Sequence, residues 1–471
     1  MRTTMFRLFA SSLFTFLLIA RARAENPVCI IGSGPSGLSA AYDLEAKNKS
    51  VIIFEKQATV GGKCQAVYDS ASDSSIFHPL GALFFTNDTY TQTRKIIDLV
   101  GQPIAFDLGT DEYIYSVVNG SISAAANVST AEQLLIVEEI YRYIALWELE
   151  FGNNSGLGVG YTGGVPDGLT VTTEAWLEEN SFEILPAIFI AGTAGFGYGD
   201  IRKTPILYML QYFQPDIIEA FVGLVESHII DFHAVFEKFS KYIEGTIKLS
   251  SPVTKIDRSG EYPIVTYTSG NSTETQECSD LILAFPPTES ALKSAGLDMT
   301  VNETDIFSPV LTTNYFCGAV NMSSGVVDQM FYRSQSALSL TPPPGYGEPI
   351  LYLKMFNDSD IVTTWSWGEE NQTVTLAEAE DLLVSTMAKV NRAPTAPISA
   401  NEPLTAADIV DFWEPVDYFP HFTSAQLADG VYEKFDALQG VNHTYFASGL
   451  NGFEDVEFAV RAGQYIVSTY F

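Results

Sequence analysis

The hydrophobic pattern changes period along the chain, and each period predicts a different kind of element. Val28–Ile31 and Val51–Phe54 are short, unbroken apolar runs. Such runs suit strands buried on both faces of a parallel sheet. The stretch between them, 38–46, holds helix formers and no proline, so 28–54 predicts a complete βαβ unit. Residues 131–151 carry Leu134, Leu135, Ile140, Ile144 and Trp147 at helical spacing. The glycine-rich stretch 153–168 predicts a loop, and 173–180 a short capped helix. Residues 205–213 and 216–242 predict two further helices, either pocket walls or plain core. Strand character returns at 247–256, 265–268 and 278–285. It dominates 310–320, 350–356 and 361–367, which predict an antiparallel sheet, with a proline loop at 341–345.

The βαβ unit carries specific chemistry. Gly32, Gly34 and Gly37 fall in G-x-G-x-x-G spacing at the turn from strand to helix, and Glu55 ends the second strand. Gly32 permits the tight turn, Gly34 lets backbone approach a pyrophosphate, and Gly37 lets the helix pack close on the strand. The helix N-terminus presents unpaired N–H groups and a positive dipole end to phosphate. Glu55 stands where an acid accepts hydrogen bonds from ribose hydroxyls. A second glycine-rich run, 187–200, imitates this motif. Its continuation, Ile201 to Pro205, interrupts any helix, and no acid-terminated strand follows at the right distance. It predicts a loop of the substrate domain.

The first 24 residues predict a secretory signal peptide. Arg2 and Arg7 precede an apolar core over 8–20, and Ala22-Arg23-Ala24 offers a cleavage site. N-glycosylation acceptors at Asn48, Asn87, Asn119, Asn127, Asn153, Asn271, Asn302, Asn321, Asn357, Asn371 and Asn442 point to the same route. No later apolar stretch is long enough to span a bilayer. A net charge of −32 disfavours nucleic acid and anionic membranes as partners. The 471 residues exceed one simple core, so two intertwined domains are expected. Cys29, Cys64, Cys278 and Cys317 show no metal-ligand spacing. They predict buried thiols or at most one disulfide, and no metal site.

Beyond Glu55-Lys56 the chain reads Val60-Gly61-Gly62-Lys63. An acid-ended strand followed by V-G-G-K resembles the two-dinucleotide-binding flavoproteins. That superfamily includes the flavin amine oxidases and the phytoene-desaturase-like enzymes. The resemblance implies FAD rather than NAD, with Gly61, Gly62 and Lys63 near its phosphates and ribityl chain. The segment 77–82 resembles the family's D-x-G-A stretch beside the flavin ring. Gly81 matches, but the usual acid is absent. His78 could contact the flavin, tether it covalently, or be an ordinary loop histidine. Val253 matches a family valine whose backbone meets the adenine, and 278–287 resembles the family's A-D-x-V-I-x-A-x-P segment.

The closing stretch, 445–464, resembles the family's last strand, F-A-G turn and final helix facing the flavin pyrimidine. Gly449 matches, Leu450 replaces the usual acid, and Val456 with Glu457 occupies the turn toward the flavin carbonyl. A positive helix end there would stabilise reduced flavin. Flavin amine oxidases carry a lysine in the strand corresponding to 311–318. None occurs here, and Lys354 is a poor substitute. That departure counts against amine oxidation. Tyr418 and His421 could reach the substrate face, with His421 as a proton acceptor; they could equally belong to a proline-shaped connector.

The fold expected is α/β. A Rossmann-like FAD-binding domain would be assembled from 25–85, 245–290 and 440–471. An inserted α+β substrate domain would comprise a mostly helical part (86–244) and a part with an antiparallel sheet and helices (291–439). The layout as a whole most resembles fungal secreted FAD oxidoreductases. The expected reaction is hydride removal from a small, fairly apolar molecule, with oxygen or another external acceptor. An amine oxidase, a redox-neutral double-bond isomerase and a non-catalytic ligand-binding flavoprotein are the alternatives.

Overall fold

In the computed structural model the apolar runs form the strands their lack of alternation requires. Residues 26–69, 76–126, 128–152, 164–323, 325–370 and 373–471 are described; the signal-peptide stretch and most of the 153–168 loop lie outside them. Five strands make a parallel sheet: β1 (Val28–Ile31), β2 (Val51–Phe54), β3 (Thr246–Lys248), β4 (Asp280–Leu283) and β5 (Thr444–Phe446), in the order β3-β2-β1-β4-β5. Ile31 lies level with Phe54 on one side and Leu283 on the other. The carboxyl ends of the central strands therefore open on one rim, where ligands of open α/β sheets bind.

Helix α1 (Pro35–Ala46) follows β1 and packs against the last helix, α2 (Val456–Tyr470). The two approach so closely that a Cβ on Gly463 would lie 2.2 Å from the Ser36 carbonyl oxygen. The Ser36 hydroxyl donates to Ala447 O at 2.8 Å, which ties the first helix to the end of the last strand. Glu457, fully buried, accepts from the Thr93 N–H at 2.8 Å and from the Arg461 Nε at 2.7 Å. It thereby fixes the helix Thr91–Val100 against α2. A disulfide joins Cys29 in β1 to Cys278, two residues before β4, across 249 residues of chain. This is the one disulfide the cysteine count allowed for; Cys64 and Cys317 are buried thiols.

A second sheet has seven strands. Their order is Ile409–Trp413, Cys317–Asn321, Ile361–Ser366, Pro349–Lys354, Phe331–Ser334, Glu112–Tyr115 and Ile122–Ala124. All neighbours are antiparallel except Phe331–Ser334 against Glu112–Tyr115. Pro349–Lys354 and Ile361–Ser366 are buried at every position, which is why neither alternates. Helix Leu376–Met387 packs on this sheet, and Leu185–Gly195 meets it at Arg333 and Leu351; Thr130–Glu150 packs against Leu185–Gly195 and Pro215–Phe221. Among the described residues no helix is long and apolar enough to cross a membrane.

Three local expectations need correction. The run 187–200 is not a loop: most of it is the helix Leu185–Gly195, whose small residues let it lie against Phe213 and Phe221 at Gly192. The long helix over 216–242 is broken. Pro215–Phe221 ends at Gly223 (φ +75°), the strand Ser227–Ile229 pairs with Phe84–Phe85 and Phe106–Leu108, and Asp231 caps Phe232–Phe239. The strand over 310–320 is two strands, because Leu311–Thr313 leaves the large sheet to pair with Tyr418–His421.

The disulfide closes a very long loop of the unfolded chain, so its removal should cost stability through chain entropy. Replacing Cys29 and Cys278 together by serine is expected to lower the free energy of unfolding by about 2–5 kcal/mol. Chemical denaturation under non-reducing conditions measures this, and an unchanged midpoint would show that the crosslink does not constrain the unfolded state.

Candidate functional site

At the carboxyl rim of the parallel sheet a single cavity of about 500 Å³ extends into the second domain. Its first end is built from the β1–α1 turn. Gly34 precedes α1 with no side chain capping the helix, and Gly34, Pro35 and Ser36 line the cavity at the helix start. Gly62 (φ +57°) brings a second backbone segment alongside; a Cβ there would lie 2.9 Å from the Gly34 Cα. Glu55 is buried at the same end. One carboxylate oxygen accepts from the Ser33 N–H and hydroxyl, both at 2.8 Å, and the other from the Gln57 N–H at 2.8 Å. A carboxylate has about four acceptor positions, so Glu55 retains capacity for one further donor. Lys56 stands exposed on the rim, and Val253 forms the wall beyond it.

The middle of the cavity is crossed by Lys63. Its ammonium donates to the Asp417 carbonyl at 2.9 Å and to Glu454 Oε1 at 2.8 Å, and lies 5.4 Å from the centre of the Tyr418 ring. It therefore links the N-terminal segment, the loop before Tyr418 and the turn before α2. Gly81 lies beside it, so close that a Cβ would sit 1.8 Å from the Lys63 carbonyl oxygen. Glu454 Oε2 is buried without a hydrogen-bond partner among the described residues. Asp455 caps α2, its Oδ1 accepting from the Phe458 N–H at 2.7 Å. Burial pushes the Asp455 carboxyl up to about 7; the cap bond opposes this, and Glu457 and Glu454 add to it.

The far end is aromatic. Leu80, Leu83, Phe84 and Phe196 line it with Tyr90, Tyr198, Tyr212, Tyr315 and Tyr418. Tyr315 and Tyr418 stack at 4.8 Å between ring centres, and Tyr198 stacks on the other side of Tyr418 at 5.8 Å. Burial holds all five phenols well above the ordinary tyrosine pKa, so they stay protonated.

Of the residues singled out in the sequence, Gly32, Gly34, Glu55, Lys56, Gly62, Lys63, Gly81, Val253, Tyr418, Gly449 and Val456 lie on this cavity. Gly37 and Gly61 lie just behind it. A Cβ on Gly37 would come within 2.0 Å of Gly32 O, and the Gly61 N–H donates to Ser33 O. The two histidines do not line it, and both expectations are corrected. His421 is 1% exposed, with Nδ1 against Phe419 O at 2.8 Å and Nε2 against Glu370 at 3.0 Å. Both ring nitrogens are thus engaged within the protein, because the alternation of Tyr418–His421 directs Tyr418, not His421, to the cavity. His78 is fully buried behind Leu80, with Nε2 3.2 Å from the Ser359 hydroxyl. Burial lowers its pKa to about 4, so it is neutral; it joins a hairpin to the large sheet instead of meeting a cofactor. Sequence reasoning missed Tyr90, Tyr198, Tyr212, Glu454 and Asp455. Only Asp455, as an acid opening an amphipathic helix, left a readable signal.

Residues 30–99 match the family of NAD(P)-binding Rossmann-like domains. The FAD-dependent oxidoreductase dpasF of Apiospora sacchari is 24% identical over 90% of this chain and 88% of its own. The FAD-dependent oxidoreductase oblC of Cochliobolus heterostrophus is 23% identical over 89% and 85%. Over most of its length the chain is similar to proteins named FAD-dependent oxidoreductases. Among solved structures, a CLA-producing fatty acid isomerase from P. acnes superposes with a TM-score of 0.79 at 20% identity, covering 95% of this chain and 99% of that one. A cyclohexylamine oxidase from Brevibacterium oxydans gives 0.61 at 19% identity, over 94% and 98%. These likenesses show that the fold is shared by enzymes named for different reactions.

The raised pKa of Asp455 makes a pH prediction. The native state holds this proton more tightly than the unfolded chain does. The stability it contributes is complete below about pH 4 and is lost as pH rises toward 7, about 1.4 kcal/mol for each pKa unit of difference. Asp455→Asn keeps a good helix cap and should flatten the fall in stability between these limits. Thermal or urea unfolding of both proteins across that range measures it; parallel profiles would contradict the assignment.

Proposed function

We propose that the protein is a secreted, N-glycosylated FAD-dependent oxidoreductase that removes a hydride from a C–H bond of a small, largely apolar molecule. The observation that carries this reading is the continuity of one cavity. The uncapped start of α1 and Glu55 lie at one end, the α2 N-terminus lies between, and an aromatic chamber closes the other. A dinucleotide cofactor needs all of the first part, and a small apolar substrate suits the second.

The residues present fit FAD. Gly34 and Gly62 leave room where a side chain would block a pyrophosphate. Glu55 would take a ribose hydroxyl with its remaining acceptor position, and Val456 with Ala459 would lie along the isoalloxazine end. When bound, FAD supplies a two-electron acceptor. The chain's own contribution is position and exclusion of water. Leu80, Leu83, Phe84 and Phe196 keep the chamber dry, the stacked Tyr315–Tyr418–Tyr198 wall fixes one side, and Lys63 pins three segments together.

Export is supported by two features. The acceptor asparagines at 48, 87, 119, 271, 302, 321, 357 and 442 are all exposed, and the Cys29–Cys278 disulfide suits an oxidising compartment. The layout of motifs resembles fungal secreted enzymes such as beta-cyclopiazonate dehydrogenase. Electrons would pass to oxygen or another external acceptor.

A redox-neutral isomerisation is the second reading. It is favoured by the higher TM-score to the fatty acid isomerase than to the amine oxidase, and by the absence of lysine from 311–318. Anaerobic mixing of the flavin-loaded protein with a panel of apolar substrates separates the two. An oxidase loses its oxidised-flavin absorbance stoichiometrically and gives a product two hydrogens lighter. An isomerase returns a product of unchanged mass with the flavin oxidised. Failure of every substrate to do either would leave a ligand-binding flavoprotein.

A further inference from the structure

The phenols of the aromatic chamber are not equivalent. Tyr198 donates to Glu454 O at 2.9 Å, Tyr418 to Phe196 O at 2.9 Å, and Tyr315 to Gly195 O at 3.4 Å. These three hydroxyls are tied into the protein's own backbone. Tyr90 and Tyr212 are as deeply buried, at 5% and 4% exposure, yet neither hydroxyl has a hydrogen-bond partner among the described residues. A tyrosine hydroxyl in a protein interior usually finds a partner, and neither of these two is sealed off from the cavity. Both residues line the cavity, so what fills the cavity is what can satisfy them.

The two phenols belong to one cluster. Tyr90 lies within electrostatic reach of Tyr212, and both lie within reach of Asp455. Tyr212 is held rigidly, stacked on Phe453 at 5.4 Å and packed against Tyr198 at 4.8 Å. Asp455 uses Oδ1 for its helix cap, while Oδ2 has no partner among the described residues. Two O–H donors and two carboxyl oxygens, Asp455 Oδ2 and Glu454 Oε2, thus stand unused on a largely aromatic cavity.

Resting on the FAD-dependent reading above, we propose that Tyr212, Tyr90 and Asp455 form a polar anchor that recognises a neutral oxygen function, hydroxyl or carbonyl, on an apolar substrate. The phenols donate to the substrate oxygen, and Asp455 Oδ2 accepts from it when it is a hydroxyl. A carboxylate is disfavoured at this anchor: it would bring a second negative charge beside Glu454 into a chamber where charge is costly. Lys63 is already engaged by Glu454 and the Asp417 carbonyl, and Arg333, which also reaches Tyr212 electrostatically, by Glu112 and the Ala191 carbonyl. An ammonium is disfavoured because it must give up its hydration in an aromatic chamber, where the ionised acid open to it, Glu454 through Oε2, already balances Lys63 through Oε1.

The test uses the flavin-loaded protein and cyclohexanol, cyclohexanone, cyclohexanecarboxylate and cyclohexylamine as ligands of one shape. Binding is measured by calorimetry and by perturbation of the flavin spectrum. The alcohol and ketone should bind at least tenfold more tightly than the carboxylate and the amine. Tyr212→Phe, which deletes one oxygen and keeps the ring packing, should weaken ketone binding about tenfold while leaving FAD affinity unchanged; Tyr90→Phe should act in the same direction. Equal or tighter binding of the carboxylate or amine overturns the proposal. So does undiminished ketone binding by both variants. Loss of FAD affinity in Tyr212→Phe would make the phenol a cofactor contact and overturn it as well. A wild-type protein that takes up no FAD would overturn the parent reading together with this one, whereas normal FAD uptake with undiscriminating ligand binding overturns this one alone.

Discussion

The structure depends on how closely the backbone of β1 and α1 is approached by its neighbours. Gly37 touches Gly32 O, Gly463 of the last helix touches Ser36 O, and no side chain fits at either contact. This close approach draws in three distant parts of the chain. The strand β4, the turn at Gly62 and the helix α2 all meet at the first dinucleotide turn. Because the carboxyl ends of the strands are level there, the approach creates a rim with two helix N-termini on the cavity. The disulfide from β1 to the start of β4 fixes the same junction covalently.

The second domain adds a different physics. Its large sheet holds strands buried on both faces, and the helices, loops and short strands beside it supply the aromatic side chains that continue the opening into a chamber. In such a chamber charges are costly, and those present are paired or shifted. Lys63 is held by Glu454, and Asp455 is pushed toward neutrality. What remains for recognition is neutral hydrogen bonding, which is why two unpartnered phenols carry information that the more numerous partnered ones do not. Wide variation in chemistry on this fold, visible in relatives named as oxidases and as an isomerase, fits a division in which one end is constrained by the cofactor and the other only by packing.

Much of the first end is legible in the sequence because its constraints are local. The spacing of Gly32, Gly34 and Gly37, and the acid at Glu55, express backbone geometry within one βαβ unit. The chamber is less legible. Tyr90 and Tyr212 lie on separate short helices or their caps, and only the folded arrangement brings both to the cavity that Asp455 also lines. His78 and His421 illustrate the opposite error. A lone histidine beside a plausible motif suggests chemistry, but strand alternation and the partners Ser359 and Glu370 turn both into the interior. The helix Leu185–Gly195 was obscured by its glycines, which serve packing against phenylalanine rings and not a turn.

The most direct test of the account is FAD content and uptake in the wild type and in Gly34→Leu. A Cβ at Gly34 meets nothing closer than 3.6 Å, so the fold accommodates a side chain while the space beside the α1 N-terminus is taken. The account predicts a yellow wild-type protein carrying about one FAD per chain and a folded, colourless Gly34→Leu that takes up none when FAD is added. A wild-type protein that binds no added FAD, or a variant that binds it as tightly as the wild type, would contradict the placement of the cofactor on which the rest is built.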